Sequence, residues 1–224
     1  MSYKNNVVKK PWGYEYLAYG NDHVGLWFLH IKHGHSTSMH CHPNKTTGLM
    51  LLEGEAEVSF LGNSVPLKPK DKLMIRKGLF HSTKAISKEG ICLIEIETPR
   101  DKHNLVRLED KYGRQGKPYE DSTFEATKEP ACLWIENPSA GGQNIYESSN
   151  YKIIVISLDN IEGLKEIRED RNIIFLQGGI LTEYGIFVAG PGDIVSGHVI
   201  RKLIDVFDNV ADDTIIMIME DLNE

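Results

Sequence analysis

The stretch SMHCHPNKTTGLMLLEG, residues 38–54, places two histidines one residue apart before an apolar run that ends in a glutamate and a glycine. Side chains alternate between the two faces of a strand, so His40 and His42 share one face while Cys41 lies on the other. Imidazole is a common metal ligand, and a firm divalent site needs a third donor from another strand. His81, in RKGLFHS, is the candidate donor. The alternative interpretation is a pair of surface histidines on a loop.

The composition of the 224 residues is that of a globular protein. Hydrophobic residues make up 41%, and the formal net charge of −7 leaves no basic field that would attract nucleic acid or an anionic membrane surface. No apolar run approaches the roughly 20 residues of a membrane-spanning helix, and the first residues lack the apolar core of a signal peptide. Three scattered cysteines without a CxxC pair fit reduced thiols. We therefore expect a cytoplasmic protein with neither nucleic acid nor membrane as a partner.

Short apolar or alternating runs recur between residues 27 and 97, each bounded by glycine, proline, asparagine or lysine. Such regularly spaced turn signals predict an antiparallel sandwich or barrel. Residues 121–150 are polar and contain PSAGG, which is typical of a linker. We predict an N-terminal domain over 1–120 and a C-terminal domain over 151–224. The second domain is again rich in strand patterns, with one short helix in IEGLKEIRED.

The spacing around the two histidines resembles the first motif of the cupin superfamily. Gly34, His40, His42 and Gly54 stand at the intervals of that motif, and Thr47 occupies the position of its glutamate. A hydroxyl group cannot replace the negative charge of a carboxylate. The motif is therefore present with one of its metal ligands changed.

A second stretch, KDKLMIRKGLFHS, is similar to the second cupin motif through Asp71, Gly78 and His81, with Arg76 where proline is usual. The segments KPWGYE, LIEIE and LVRLEDKYGR also resemble the isomerase part of bifunctional mannose-6-phosphate isomerase and mannose-1-phosphate guanylyltransferase enzymes, over roughly residues 9–115. The resemblance implies an all-β bicupin. It would contain two double-stranded β-helix (jelly-roll) barrels, of which the second is degenerate and binds no metal.

The resemblance also implies a ligand set for one divalent transition metal. The family's glutamine, histidine and glutamate ligands of the first motif fall on His40, His42 and Thr47, and its fourth ligand falls on His81. The histidines 40, 42 and 81 are therefore the predicted metal ligands. Three neutral imidazoles would leave the ion its full charge, which favours zinc, with iron, nickel and manganese as alternatives.

Further candidate residues surround this predicted metal site. Glu95 and Glu97 share one face of the strand ICLIEIE, which faces either solvent or a cavity. If it faces a cavity, Glu95 is the candidate general base, or it reaches the metal in place of the lost ligand. Four residues match positions of the family's motifs at which cations can bind a substrate phosphate, although such side chains are often only solvated: Lys45, Arg107, Tyr112 and Arg114.

The function implied by the resemblance is an isomerase or epimerase of polysaccharide precursor synthesis that acts on a sugar phosphate or a nucleotide sugar. The metal would polarise a carbonyl and its adjacent hydroxyl while a base moves the proton. Two alternatives stay open: a non-catalytic sugar-binding module and a three-histidine iron oxygenase. A homodimer is expected because cupins commonly pair through sheet edges.

Overall fold

The chain divides into two compact units, Met1–Trp134 and Ile135–Glu224. The division falls within the predicted linker, residues 121–150. The computed structural model describes residues 7–101, 104–117, 124–125, 132–148 and 150–222.

The N-terminal unit consists of short antiparallel strands. They are β1 Val7–Lys10, β2 Gly13–Gly20, β3 Gly25–Ile31, β4 Met39–Cys41, β5 Thr46–Glu53, β6 Ala56–Phe60, β7 Ser64–Leu67, β8 Lys72–Ile75, β9 His81–Ala85, β10 Ile91–Thr98, β11 Val106–Glu109 and β12 Phe124–Glu125. One sheet has seven strands in the order β12-β1-β2-β3-β10-β5-β8, and the other has five in the order β11-β4-β9-β6-β7.

One hydrophobic core lies between these two sheets. Leu49 and Leu93 enter it from neighbouring strands of the seven-stranded sheet, and Val58 and Ala85 enter it from the five-stranded sheet. The central strands β5 and β10 are almost continuously apolar and buried, as expected for strands covered on both faces. Gly54 ends β5 with φ +81°, and a Cβ there would lie 2.5 Å from the Gly90 carbonyl oxygen. Only glycine fits that turn.

The C-terminal unit is smaller and contains two helices. Its elements are β13 Gln143–Glu147, β14 Tyr151–Leu158, α1 Glu162–Lys165, β15 Asn172–Gln177, β16 Ile180–Leu181, β17 Phe187–Ala189, β18 Ile194–Ser196, α2 Gly197–Ile204, β19 Asn209–Val210 and β20 Thr214–Asp221. A five-stranded sheet in the order β13-β14-β20-β15-β18 and a three-stranded sheet in the order β17-β16-β19 share one core.

The predicted helix in IEGLKEIRED is present as the single turn α1, where Asn160 Oδ1 accepts a hydrogen bond from the N–H of Glu162. The sequence patterns do not predict helix α2, because the stretch around it, PGDIVSGHVI, begins as a strand. Its apolar residues recur at helical spacing: Ile200 is buried, and Leu203 and Ile204 pack against the same core. The helix thereby covers the core of the unit.

The prediction of an all-β chain with two jelly-roll barrels, the second degenerate, is confirmed. Each unit has two antiparallel sheets around one core, and the second sheet of the C-terminal unit has only three short strands in the part of the chain that is described. Among the described helices, none is long and apolar enough to cross a membrane.

Candidate metal centre

The three predicted histidine ligands come together inside the N-terminal unit. His40 on β4 is the direct cross-strand partner of His81 on β9, and His42 follows β4 by one residue. The imidazole centroids of His40 and His81 are 4.5 Å apart, and those of His40 and His42 are 4.9 Å apart. One ligand atom from each of the three residues lies within 4.8 Å of the others. Strand alternation and cross-strand pairing therefore assemble a cluster of three imidazoles.

Hydrogen bonds to backbone carbonyls fix the tautomer of all three rings. His40 Nδ1 lies 2.8 Å from the carbonyl oxygen of Ser38, and His81 Nδ1 lies 2.9 Å from that of Leu79. His42 Nδ1 lies 2.7 Å from the carbonyl oxygen of Asn104. A carbonyl only accepts, so each Nδ1 carries the proton and each Nε2 keeps a lone pair. This is the arrangement of metal-binding histidines, whose second nitrogen donates to a carbonyl or carboxylate.

Burial favours the neutral form of two of these imidazoles, His40 and His81. The pKa of His40 is well below its ordinary value, chiefly because burial disfavours the charged ring and also because of the neighbouring His81 and His42. Burial also lowers the pKa of His81; the hydrogen bond to Leu79 opposes this shift, and the charge of Lys45 adds to it. A neutral imidazole is the form that binds a metal.

Two glutamates of β10 face the histidine cluster from the opposite sheet. Glu95 is half-buried and Glu97 is 1% exposed. One carboxylate oxygen of each glutamate and one ligand atom of His42 all lie within 4.8 Å of one another. These three residues therefore form a second group of possible metal ligands. Lys45 Nζ lies 2.5 Å from Glu97 Oε1, and both of these side chains are almost fully buried.

Three buried polar atoms at this site have no hydrogen-bond partner among the described residues: His81 Nε2, Thr47 Oγ1 and Glu97 Oε2. Buried polar atoms in native proteins are normally satisfied, by protein, water or a bound ion. A lone-pair nitrogen and an anionic oxygen are both ligands that a divalent transition metal accepts. The donor set and its orphaned atoms therefore fit a divalent metal, whose identity the geometry does not distinguish.

A cavity opens beside the cluster, with an empty volume of about 480 Å³ including its mouth. His40, His42 and both glutamates line it, so the candidate ligands and the two carboxylates share one space. The other residues that line it are four cations, a third glutamate and five uncharged side chains. The cations are Lys10, Lys45, Arg107 and Arg114, the glutamate is Glu15, and the uncharged residues are Trp12, Leu29, Thr37, Ser38 and Leu105.

The predicted phosphate-binding residues are only partly brought together. Arg107 is the cross-strand partner of His40 and lines the cavity, where its Nη1 donates a hydrogen bond to the Lys117 carbonyl oxygen. Arg114 also lines the cavity, but its Nη2 lies 2.7 Å from Asp110 Oδ1. Burial acts to raise the pKa of Asp110, yet the hydrogen bonds and charge of Arg114 hold it below its ordinary value. Much of the charge of Arg114 is therefore already neutralised.

Tyr112 packs against the hydrophobic core instead of lining the cavity. Its hydroxyl accepts a hydrogen bond of 3.4 Å from the N–H of Ser36, and the Arg114 guanidinium lies 5.2 Å from its ring centroid. Tyr112 therefore contacts Arg114, which lines the cavity. A direct substrate contact for Tyr112 remains a prediction.

Sequence patterns alone do not identify the ion pair of Lys45 with Glu97 or that of Lys10 with Glu15 as parts of the site. Lys10 and Glu15 stand in the KPWGYE segment, and their side chains are 3.7 Å apart. Lys45 and Glu97 are separated by 52 residues, so only the pairing of strands places them together. The alternation of ICLIEIE offers the one usable signal, since it puts Glu97 on the face of Glu95.

In the C-terminal unit, the sequence interpretation leaves His198 outside any metal site. It lies in α2, where its side chain is 58% exposed and its Nδ1 is 3.6 Å from Glu169 Oε2. The groups of metal-ligating side chains found in the described part of the chain do not include it.

No protein-family model and no curated protein sequence matches the chain. Its fold is similar to solved structures of cupin and double-stranded β-helix proteins. One is KdgF from Halomonas sp., with 17% identity over 41% of this chain and 84% of that chain at a TM-score of 0.39. Another is an uncharacterized conserved protein with a double-stranded β-helix domain from Klebsiella pneumoniae, with 16% identity over 49% of this chain and 90% of the other at 0.40.

A third similar structure is a sugar phosphate isomerase of the cupin superfamily from Silicibacter pomeroyi, with 15% identity over 42% of this chain and 64% of that chain at a TM-score of 0.39. The specific likeness to mannose-6-phosphate isomerases is not among these findings. At identities of 17% or less and TM-scores of 0.40 or less, none of the three likenesses carries an argument about the reaction of this chain.

Proposed function

We propose that the N-terminal unit is a metal-dependent enzyme that acts on a small phosphorylated sugar or nucleotide sugar. It removes a proton from the carbon next to a carbonyl and returns it either to the adjacent carbon, as an isomerase, or to the opposite face of the same carbon, as an epimerase. One observation carries the proposal. Three imidazoles whose Nδ1 atoms hydrogen-bond to backbone carbonyls form one cluster, and two of them, His40 and His42, line the same cavity as two carboxylates of β10. The cluster would hold the metal, and a carboxylate would hold the proton.

The bound metal would supply a Lewis acid for the carbonyl and adjacent hydroxyl of the substrate. Glu95 is the base in this proposal, because it is half-buried at the cavity surface and can meet a ligand there. In the isomerase reaction, its carboxylate takes the proton from the carbon next to the carbonyl and returns it to the former carbonyl carbon, while the hydroxyl proton passes to the former carbonyl oxygen. Protons and electrons balance, so no oxidant is needed.

The charge of the cavity lining supports an anionic ligand, because four cations line it with three glutamates. Arg107, next to His40 across the strand pair, would bind the phosphate through charge-assisted hydrogen bonds. Lys45 is engaged with Glu97, which already balances much of its charge, so Arg107 is the main phosphate contact in this proposal.

Zinc, a homodimer and a cytoplasmic location are further parts of the proposal. Imidazole-rich sites suit zinc, and iron, nickel and manganese are the alternatives to be distinguished by elemental analysis of the purified protein. Light scattering of the protein in solution tests the dimer. A monomer at micromolar concentration would contradict that part alone.

Proton exchange tests the reaction even before its product is identified. The metal-loaded protein is incubated in D2O with a panel of aldose and ketose phosphates and nucleotide sugars, and NMR follows loss of the proton next to the carbonyl. We expect exchange with at least one ligand, its loss in Glu95→Gln, and its retention in Glu89→Gln, which changes an exposed glutamate of the same unit. A protein that binds metal and a sugar but exchanges no proton would be a binding module. Oxygen consumption by an iron-loaded protein would instead identify an oxygenase.

A further inference from the structure

We infer that Glu97 supplies the carboxylate ligand that is missing at position 47, an inference that rests on the proposed metal site. Thr47 on β5 and Glu97 on β10 are direct cross-strand partners. Directly opposed residues of antiparallel strands project from the same face with Cβ atoms about 4.5–5.5 Å apart. A carboxylate at 97 can therefore reach the region that a carboxylate at 47 would occupy.

The surroundings of Glu97 point to a missing cation. Its side chain is almost fully buried, and Oε2 has no hydrogen-bond partner among the described residues, whereas Oε1 is paired with Lys45. A buried carboxylate oxygen without a partner is strongly unfavourable. A carboxylate oxygen of Glu97 lies within 4.8 Å of a ligand atom of His42, so an ion bound by that imidazole is within reach.

Threonine at position 47 is consistent with a carboxylate ligand at position 97 in its place. Glutamates at both 47 and 97 would place two like charges directly opposite each other, an arrangement that destabilises a strand pair. With threonine at 47 this cross-strand pair keeps one carboxylate, which β10 provides. Thr47 Oγ1 itself has no partner within the described residues, and it lies in the same row as Glu97.

Lys45 acts as a positioning residue for this ligand. Its ammonium group lies 2.5 Å from Oε1 of Glu97, so Oε2 is the carboxylate oxygen that is left for the metal. Glu95 differs in its environment, because it is half-buried, lies opposite Leu49 and is accessible from the cavity. The two glutamates therefore have different roles: Glu97 binds the metal and Glu95 faces the substrate.

Cobalt(II) titration tests this assignment through the ion itself and not through activity. Its visible absorption reports the ligand set, and competition with a chelator reports affinity. We expect Glu97→Gln to weaken Co2+ at least tenfold and to change its spectrum, since even the outer partners of metal ligands contribute about 10–100-fold. Glu95→Gln, on the same face of β10, should leave affinity and spectrum unchanged. Thr47→Glu introduced into Glu97→Gln should restore at least part of the affinity.

A second pair of variants removes the effect of an unpaired buried lysine. Lys45→Met keeps Glu97 and should still bind Co2+, whereas Lys45→Met combined with Glu97→Gln should bind it at least tenfold more weakly than Lys45→Met alone. The ligand role of Glu97 would be overturned, but not the metal site, if Glu97→Gln changed neither the affinity nor the spectrum of Co2+ in the wild-type and Lys45→Met backgrounds. A wild-type protein that takes up no Co2+ would overturn the proposed metal site and this inference together.

Discussion

Lys45 and Glu97 form an ion pair in which Nζ lies 2.5 Å from Oε1, and each side chain is no more than 2% exposed. The pair joins the residue before β5 to the end of β10, on the side of the core where the histidines lie. Two charges removed from water in this way depend on each other, since neither is solvated alone. The pair therefore fixes both the geometry and the charge of the site.

Removing the lysine should destabilise the metal-free protein. Loss of one partner of a buried ion pair typically costs about 3–5 kcal/mol, so Lys45→Met should lower the free energy of unfolding, measured by urea denaturation, by that amount. The matched control is Lys165→Met, which breaks an exposed pair with Glu162 and should change stability by about 1 kcal/mol or less. Equal losses in the two variants would show that the buried pair contributes nothing beyond a surface contact.

Arg107→Ala should weaken a phosphorylated sugar selectively. A hydrogen bond to a charged group is worth about 1.5–3 kcal/mol, so the affinity for the phosphorylated ligand should fall about tenfold or more, while the unphosphorylated sugar should lose little. Calorimetric titration with both ligands measures the difference. Arg76→Ala, at an exposed arginine of the same unit, serves as the control. Equal loss from both ligands would contradict the phosphate contact.

Arg114 should contribute less to phosphate binding than Arg107. Its guanidinium is held by Asp110, whose carboxylate already balances the charge. Arg114→Lys should therefore weaken the phosphorylated ligand by less than Arg107→Lys in the same titration. A larger loss at 114 would mean that the ligand displaces Asp110.

Acid should destabilise the chelator-treated protein through His30, which stacks on Tyr14 at 4.3 Å between ring centroids. Burial lowers the pKa of His30 from 6.5 to about 4. The unfolded chain therefore takes up the proton first, and the stability that neutral His30 contributes above pH 6.5 is lost between pH 6.5 and about 4, by up to ~1.4 kcal/mol per pH unit.

Urea unfolding at a series of pH values measures this effect. His30→Phe keeps an aromatic ring against Tyr14 and should flatten the dependence below pH 6.5. His33→Gln, at an exposed histidine nearby in the sequence, should leave the slope as it is. An unchanged slope in His30→Phe would assign the acid sensitivity to other groups.

The histidine cluster is predictable from the sequence because its parts are local or follow a known spacing. His40 and His42 share a face through strand alternation alone. His81 joins them through the motif spacing, and the structure pairs it directly with His40. The strand patterns between residues 27 and 97 likewise predict the antiparallel sheets of the N-terminal unit.

The partners of these residues are not predictable in the same way. The carbonyl groups that orient the rings, such as that of Asn104, belong to loops whose path no local pattern encodes. The opposition of Thr47 to Glu97 depends on the register of β5 against β10, and a shift by one residue would turn the glutamate to the other face. Helix α2 escapes prediction because a strand pattern leads directly into it.

The most direct test of the account is the metal content of carefully purified protein after metal is offered and the excess removed. We expect close to one transition metal per chain in the wild type and in His198→Ala, which changes an exposed histidine of the C-terminal unit, and almost none in His42→Ala. Wild-type protein without specific metal uptake, or His42→Ala with an undiminished metal content, would contradict the central claim that the three imidazoles form a metal site.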